Sequence, residues 1–349
     1  MQRKLKIGMI GCGEIAYKAT GKAIQAARNA EMVVAMDPVP DVAASFGKTF
    51  EVPHTTDVKE VLSRPEVEAV VISAPHYLHE PLTVQAAEAG KHVMCEKPIA
   101  CTLGQADRMI EACRRAGVLL GINLVSRYEP STVQGKALVA AGVIGKVIGL
   151  QFHVMAAKPE SYWTGGYTGR VRTDWRTSRE KSGGGVLVMN LVHDIDRFRH
   201  MTGIEAVRAF CEYDTYCTAT EVEDYITVTY RYDNGAIGTA TASSCARGGR
   251  GQGNRIVGTE GQVLFPGRRA LEVFSLRGGD GLKAGEWTEV PFQPGGDSRQ
   301  VYTERFAEAV FEGRRPDIPG EEGRKTLEAL VAAYRSGETH ESVTLPLEA

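Results

Sequence analysis

A glycine-containing turn near the amino end has residue types suited to binding a phosphate. Residues 5–16 read LKIGMIGCGEIA, and Gly11 and Gly13 interrupt the apolar run just before a predicted helix. A buried strand that turns into a helix leaves unpaired N–H groups and the positive end of the helix dipole at one point, which suits a pyrophosphate. Gly11 permits the tight turn, Gly13 lets a phosphate approach the backbone, and Ala16 lets the helix pack closely. The turn therefore predicts a dinucleotide site.

An acidic residue lies at the sequence position where a dinucleotide site requires one. Asp37 ends the apolar run 32–36, about twenty residues beyond the turn. A carboxylate at this place accepts hydrogen bonds from the adenosine ribose hydroxyls and repels the extra phosphate of NADP. Residues 38–40, Pro-Val-Pro, supply no cation to offset that repulsion. NAD is therefore favoured over NADP, and the alternative is that Asp37 is only a turn residue before a proline.

Further loops should share the edge of the sheet where the glycine turn lies. Residues 69–73 and 91–95 are apolar runs typical of buried strands, and the runs alternate with helical patterns, including one over 14–29. Because ligands bind beyond the carboxyl ends of such strands, the sequence predicts a doubly wound parallel Rossmann sheet over residues 1–125. The predicted cofactor-binding residues are Gly11, Gly13, Glu14, Ile15, Asp37, Ser73, Ala74, Pro75, His79, Glu96 and Lys97.

The pattern changes after about residue 125. Residues 146–156, 206–217 and 224–243 alternate apolar and polar positions, and Asp233-Asn-Gly235 is a strong hairpin turn. This predicts, over residues 126–349, an α+β domain with an open, mostly antiparallel sheet. One face of such a sheet would lie uncovered by helices, and we therefore expect a homodimer or homotetramer.

Composition excludes several classes of protein. A formal net charge of −2 argues against nucleic acid or an anionic membrane as the main partner, and no apolar run approaches the length of a membrane span. The amino-terminal residues run straight into the first strand, without the pattern of a signal peptide. The seven cysteines include no CxxC pair, so we expect no structural metal site and a reducing, cytoplasmic location.

Several motifs taken together resemble one family, the Gfo/Idh/MocA oxidoreductases. They are the GCGEIA turn, the turn 96–98 (Glu-Lys-Pro), the segment 123–128, Asp174-Trp-Arg176, Gly183-Gly-Gly185 followed by His193-Asp-Ile-Asp196, and the stretch 320–347. The resemblance covers essentially the whole chain. It implies a Rossmann domain, a second domain with an open sheet, and nicotinamide-dependent chemistry on sugars or polyols.

Lys97 and His193 are the predicted catalytic residues. By pattern alone, Lys97 would more often be part of a surface pair with Glu96, and a histidine in an apolar segment is more often a core residue. The resemblance instead implies that Lys97 hydrogen-bonds the substrate oxygen and that His193 is the acid/base. Burial and the nicotinamide charge would lower the pKa of Lys97 towards working pH, and imidazole suits removal of an alcohol proton. Asp196, one helical turn on, could support the histidine segment.

The sequence departs from the inositol-dehydrogenase pattern next to His193. That pattern has an aspartate four residues earlier, where this chain has Met189 followed by Asn190. Methionine cannot orient an imidazole, so either Asn190 hydrogen-bonds the substrate instead or Lys97 and His193 act without a carboxylate. This departure puts myo-inositol itself in doubt.

Aromatic and arginine side chains are candidates for recognition of a sugar. Tyr162, Trp175 and Arg176 lie in one polar loop, and Arg127 lies at the entry to the second domain. Aromatic faces stack on sugar rings and arginine donates to hydroxyls, but such loops also pack against neighbouring subunits, and both roles stay open.

The predicted function is an NAD-dependent dehydrogenase that oxidises a secondary hydroxyl of a sugar, glycoside or polyol. The alternatives are a carbonyl or imine reductase of a non-sugar substrate and a non-catalytic dinucleotide-binding sensor. The retention of both Lys97 and His193 speaks against the sensor, because a sensor needs no proton-transfer pair.

Overall fold

The structure is a computed structural model that describes residues 3–248, 253–267, 270–279, 281–292 and 295–347. It contains two compact units, neither of which is continuous in sequence. The first comprises 1–125, 159–183 and 296–327, and the second comprises 126–158, 184–295 and 328–349. The long stretch of the first unit ends at residue 125, whereas 159–183 and 296–327, which lie inside the predicted second domain 126–349, belong to the first unit.

The first unit is built on a parallel sheet. Its strands are β1 (Leu5–Ile10), β2 (Ala30–Met36), β3 (His54–Thr55), β4 (Ala69–Ile72), β5 (His92–Cys95) and β6 (Leu120–Ile122). Over the described residues the order is β3-β2-β1-β4-β5-β6, with every neighbouring pair parallel. This is the doubly wound order in which the ligand crevice lies at the carboxyl ends of β1 and β4. The apolar runs that predicted β1 and β4 are fully buried, at Ile7, Met9, Val70 and Val71.

The α-helices connect and cover the sheets. They are α1 (Gly21–Ala26), α2 (Pro40–Phe50), α3 (Val58–Leu62), α4 (His79–Glu88), α5 (Leu103–Ala116), α6 (Pro130–Ala140), α7 (Ser161–Gly165), α8 (Arg179–Ser182), α9 (Val192–Thr202), α10 (Ser298–Glu312) and α11 (Gly320–Thr339). Short 3₁₀ turns occupy His76–Leu78 and Val125–Tyr128. Among the described residues, no helix combines the length and apolar character that a membrane span requires.

The second unit is built on a mixed, mostly antiparallel sheet. Its strands are β7 (Val147–Met155), β8 (Ala206–Asp214), β9 (Tyr225–Tyr232), β10 (Ile237–Ser243), β11 (Asn254–Gly258), β12 (Gly261–Phe265), β13 (Ala270–Ser275), β14 (Trp287–Pro291) and β15 (Val343–Thr344). Their order over the described residues is β14-β13-β12-β11-β7-β10-β9-β8-β15, and only β7 and β10 pair in parallel. The predicted hairpin joins β9 to β10, with Gly235 at φ +87°.

One face of this sheet forms the core of the second unit. Along β9, Ile226 and Val228 are fully buried while Tyr225 is 41% exposed, as the alternation predicted. Phe152, Phe198 and Phe265 pack together with ring centroids 5.1 and 5.5 Å apart. The sequence pattern therefore identified β7 to β10 and the buried side of β9, but it did not predict β11 to β15.

The helix predicted over 14–29 is the element that differs most from expectation. A π-helical turn occupies Ala16–Thr20, α1 continues from it, and the chain becomes extended at Ala27. A second π-helical turn, Leu187–Leu191, leads directly into α9. Such turns are rare and are found mostly at functional sites, and here they follow the glycine turn and precede His193.

Candidate active site

The glycine turn has the shape that a bound phosphate requires. Gly11 has φ +91°, and a Cβ on it would lie 2.5 Å from the carbonyl oxygen of Ser73, so only glycine fits between β1 and β4. A Cβ on Gly13 would have no heavy atom within 4 Å among the described residues. The backbone at Gly13 is therefore open to an approaching ligand.

Asp37 is buried beside the glycine turn. Its Oδ2 accepts the N–H of Cys12 at 2.9 Å, and its Oδ1 accepts the N–H of Val39 at 3.0 Å. Each carboxylate oxygen has lone pairs beyond the one used, so ribose hydroxyls could still donate to it. Burial and the Asp37 charge raise the pKa of the Cys12 thiol to about 12, so this cysteine remains a neutral, unreactive thiol.

Of the next two residues of the turn, Glu14 binds another segment and Ile15 is exposed. Glu14 accepts the N–H of Tyr167 at 2.8 Å and forms an ion pair with Lys18. Ile15 is 42% exposed. Both were predicted to contact the cofactor, but in this structure the Glu14 carboxylate binds the segment around Tyr167.

The loop after β4 carries a polar group with unused hydrogen-bonding capacity. The Oγ of Ser73 is buried and has no hydrogen-bond partner among the described residues, which favours a ligand there. The neighbouring Ala74 and Pro75 continue the same loop. Together with the cradle at Gly11 and Gly13, this buried hydroxyl fits a dinucleotide.

His79 positions two loops of this edge. Its Nδ1 faces the carbonyl oxygen of Pro98 at 2.8 Å, and its Nε2 faces that of Ala74 at 3.0 Å. Burial lowers the pKa of His79 despite these contacts. The ring was predicted to bind the cofactor directly. Because both ring nitrogens face backbone carbonyl oxygens and a neutral ring donates to one of them, we assign His79 to holding these loops.

Glu96 and Lys97 follow β5 at the same edge. The Oε1 of Glu96 accepts from the Asn123 amide at 2.8 Å and from the Thr20 hydroxyl at 3.2 Å, and the residue is only 5% exposed. Glu96 therefore connects β5 to the π-helical turn after the glycines and to the end of β6. Sequence reasoning missed the pairing of Asn123 with Glu96.

The pKa of Lys97 is lowered, which is the direction that its predicted role in proton transfer requires. Burial lowers its pKa to about 8, Glu96 opposes this shift, and the guanidinium groups of Arg299 and Arg176 add to it. A lysine with a pKa near 8 has an appreciable neutral fraction at neutral pH, so it could exchange a proton with a substrate oxygen. The Glu96–Lys97 pair is thus not an ordinary exposed ion pair.

The predicted sugar-binding loop belongs to the first unit. The Arg176 guanidinium lies over the Trp175 ring at 4.5 Å and over the Tyr162 ring at 5.1 Å. The Trp175 ring in turn lies 4.5 Å from that of His76, whose Nδ1 faces the Ser182 carbonyl oxygen at 2.7 Å. The structure thus brings Tyr162, Trp175 and Arg176 together with the loop after β4.

In the second unit, His193 lies on the first turn of α9, directly after a π-helical turn. In that turn, Met189 is 5% exposed, and the Oδ1 of Asn190 accepts a hydrogen bond from the Nζ of Lys158. The side chain of Lys158 therefore lies next to Asn190, a contact that the sequence did not predict. Sequence analysis missed Lys158, because it lies just after β7 in a stretch without a recognisable motif.

A buried carboxyl fixes the glycine run before this turn. Glu223 accepts the N–H of Gly185 at 2.7 Å, the N–H of Leu187 at 2.9 Å and the hydroxyl of Tyr334 at 2.8 Å. A Cβ on Gly185 would lie 2.0 Å from the Glu223 carbonyl oxygen. Burial raises the pKa of Glu223. Gly185 is therefore needed for its close packing against Glu223.

Arg127 and Asp196 form a buried bidentate ion pair. The Nε and Nη2 atoms of Arg127 donate to Asp196 at 2.8 and 2.6 Å, and the two side chains are 6% and 1% exposed. Asp196 thus supports the His193 helix, as expected. Arg127 was predicted to bind substrate, but at least two of its donors hold α9, so we assign it a positioning role.

One group among the described residues has the composition of a metal site. The potential ligand atoms of Cys217, Asp224 and Cys245 all lie within 4.8 Å of one another. The Asp224 carboxylate, however, accepts the N–H groups of Tyr216, Cys217 and Thr218 at 2.9, 2.6 and 3.0 Å. Because these bonds explain its position, we assign no metal to it.

Comparison with known proteins agrees with the two-unit fold. Residues 5–124 match the Gfo/Idh/MocA family model that is described as "Oxidoreductase family, NAD-binding Rossmann fold". Residues 132–264 match the model of the family's C-terminal domain. Together these matches cover more than half of the chain.

Relatives match over nearly their full length. The chain is 28% identical over 346 residues to 1,5-anhydro-D-fructose reductase of Ensifer adhaerens, covering 97% of this chain and 98% of the relative. It is 25% identical over 346 residues to scyllo-inositol 2-dehydrogenase (NAD(+)) of Bacillus subtilis, covering 96% and 95%. The fold resembles aldose–aldose oxidoreductase of Caulobacter crescentus with TM-score 0.84 and 24% identity, covering 98% and 100%. The predicted fold class and family are thereby confirmed, and the chain belongs to the Gfo/Idh/MocA oxidoreductases, with an NAD-binding Rossmann fold at its amino end.

Proposed function

We propose that the protein is an NAD-dependent dehydrogenase that oxidises a secondary hydroxyl of a sugar, glycoside or polyol. The observation that carries the proposal is Lys97, a largely buried lysine whose pKa falls to about 8 at the edge of an NAD-binding Rossmann sheet. Relatives of nearly equal length are named for anhydrosugars and inositols, which supports a cyclic, hydroxyl-rich substrate.

The residues around the glycine turn would hold the dinucleotide. The backbone at Gly11 and Gly13 would bind the pyrophosphate, the Asp37 carboxylate would accept from the ribose hydroxyls, and the buried Ser73 hydroxyl would donate to the ligand. Nicotinamide, when bound, supplies the acceptor for a hydride. Because Asp37 repels a 2′-phosphate, we keep NAD as the favoured cofactor.

Proton handling is the contribution of the protein side chains. In our proposal, His193 accepts the proton of the substrate hydroxyl as the carbon–hydrogen bond breaks, and Lys97 hydrogen-bonds the same oxygen. Positioned general bases typically contribute about 10²–10⁴-fold to a rate. Asn190, held by Lys158, would bind a neighbouring hydroxyl, one residue after Met189, which occupies the position of the aspartate in the inositol dehydrogenase pattern.

Trp175, Tyr162 and Arg176 are proposed to recognise the sugar ring. Their packing is mutual, because the arginine lies over both aromatic rings and holds them by cation–π contacts. Aromatic faces of this kind stack on the apolar faces of sugar rings.

We also propose that the protein is a cytoplasmic homo-oligomer. All seven cysteines are free thiols, which suits a reducing compartment. The outward face of the second sheet exposes large apolar side chains: Ile148, Phe210, Tyr225 and Ile237 are 41–46% exposed. Light scattering at micromolar concentration is expected to give the mass of a dimer or tetramer, and a monomeric mass would remove this part of the proposal.

The function is tested by formation of reduced cofactor when the protein and NAD meet a library of sugars, glycosides and cyclitols. We expect at least one secondary alcohol to be oxidised. Lys97→Met should lower turnover at least about a hundredfold while the Kd for NAD changes little. Reduction of ketones or imines without oxidation of any library alcohol would favour the reductase alternative, and NAD binding without any turnover would favour the sensor.

A further inference from the structure

An arginine from a distant part of the chain lies against the glycine turn. Arg170 belongs to the stretch 159–183, which joins the first unit. Its Nε donates to the carbonyl oxygen of Cys12 at 3.2 Å, and its guanidinium lies 4.1 Å from the centre of the Tyr17 ring. Cys12 is the residue between Gly11 and Gly13. The guanidinium is therefore next to the backbone that cradles a phosphate.

The hydrogen bonds of Arg170 go to neutral groups. Its other hydrogen bonds, to the hydroxyl of Ser45 and the carbonyl oxygen of Val42, are both 3.4 Å long. Every acceptor it contacts is neutral, and no carboxylate of the described residues forms an ion pair with it. Two long bonds to neutral groups use little of a guanidinium's capacity, since its planar donors match the oxygens of carboxylates and phosphates.

The same segment is attached at a second point. The N–H of Tyr167 donates to Glu14 at 2.8 Å, and a Cβ on the adjacent Gly166 would lie 2.3 Å from that carboxylate. Residues 166–170 therefore run directly over residues 12–14. A cation carried by this segment is held at the turn rather than left in solvent.

We propose that Arg170 binds a phosphate group of the dinucleotide and thereby fastens residues 166–170 over the bound cofactor. The proposal rests on the cofactor of the proposed function and not on its substrate. Two phosphate groups could supply the anion: the pyrophosphate, which NAD and NADP share, and the 2′-phosphate, which only NADP carries.

The test measures cofactor binding in the absence of substrate. Arg170→Gln keeps a donor for the Cys12 carbonyl and removes the charge, whereas Arg170→Lys keeps the charge. Arg172→Gln is the matched control, because Arg172 lies two residues on and is exposed. Dissociation constants for NAD and NADP are measured by calorimetry at low and moderate salt, with circular dichroism to verify folding.

We expect Arg170→Gln to weaken binding about tenfold, Arg170→Lys to restore most of it, and Arg172→Gln to change it less than about twofold. Equal losses for NAD and NADP would identify the pyrophosphate as the partner, and a loss confined to NADP would identify the 2′-phosphate. Unchanged affinity for both cofactors in folded Arg170→Gln would overturn the proposal. Arg170 would then only hold residues 166–170 in place. A wild-type protein that binds NAD but oxidises no sugar would refute the substrate assignment and not this one.

Discussion

The buried charge of Lys97 should make the wild-type protein less stable than a variant without it. Its pKa falls from 10.5 to about 8 in the folded protein, chiefly because burial disfavours the charged form. At about 1.4 kcal/mol per pKa unit, holding this lysine charged in the folded state costs up to about 3 kcal/mol. Lys97→Met removes the charge and keeps an unbranched side chain, so we expect the free energy of unfolding at pH 7 to increase by up to that amount.

The gain in stability of Lys97→Met should decrease as the pH rises. Below pH 8 both the folded and the unfolded lysine are protonated, so the folded state carries the full cost. Between pH 8 and 10.5 the folded lysine is neutral while the unfolded one is still protonated, and the cost therefore decreases as the pH rises. The advantage of Lys97→Met should fall to about 1.4 kcal/mol at pH 9.5 and vanish above pH 10.5.

Urea unfolding of the cofactor-free protein at pH 7 and pH 9.5, followed by circular dichroism, measures this difference. Lys91→Met is the matched control, because the Nζ of Lys91 donates to the carbonyl oxygens of Arg64 and Val67 at 2.9 and 2.8 Å. That variant loses two hydrogen bonds and should be destabilised. If Lys97→Met were destabilised like the control, or were stabilised equally at both pH values, the lowered pKa of Lys97 could not be the reason, and its assignment as the proton-exchanging group would lose its support.

Two further predictions separate binding from stability. Gly13→Ala should leave the melting temperature unchanged yet raise the Kd for NAD at least about tenfold. Gly11→Ala, by contrast, should cost at least about 2 kcal/mol of stability because of the positive φ of Gly11. Equal melting temperatures for the two variants would contradict the packing described at the turn. Arg127→Met removes the bidentate partner of the buried Asp196 and should cost about 3–5 kcal/mol in urea unfolding, and adding Asp196→Leu should recover much of the loss. Failure of the second change to restore stability would show that the pair does more than satisfy its own charges.

Local features of the sequence determined much of this protein. The glycine turn, its strand and Asp37 are specified within about thirty residues, because a tight turn needs a residue free to adopt positive φ and a buried strand needs an unbroken apolar run. The alternation along β9 likewise fixed which side of the second sheet is buried, since successive side chains of a strand point to opposite faces. Family motifs then indicated Lys97 and His193, which pattern alone would have left as ordinary residues.

Only the tertiary structure decided the partners of the polar groups. Arg170 contacts Cys12, which lies 158 residues earlier in the sequence, and Arg127 pairs with Asp196, 69 residues later. Contacts between residues so far apart in sequence cannot be predicted from local periodicity. His79 was expected at the cofactor, but its ring nitrogens face two backbone carbonyls. A buried polar group must be satisfied by whatever the folded chain brings within hydrogen-bonding distance. The residue types therefore follow from the sequence, while the partner and the role of each polar side chain are settled only when distant segments pack together.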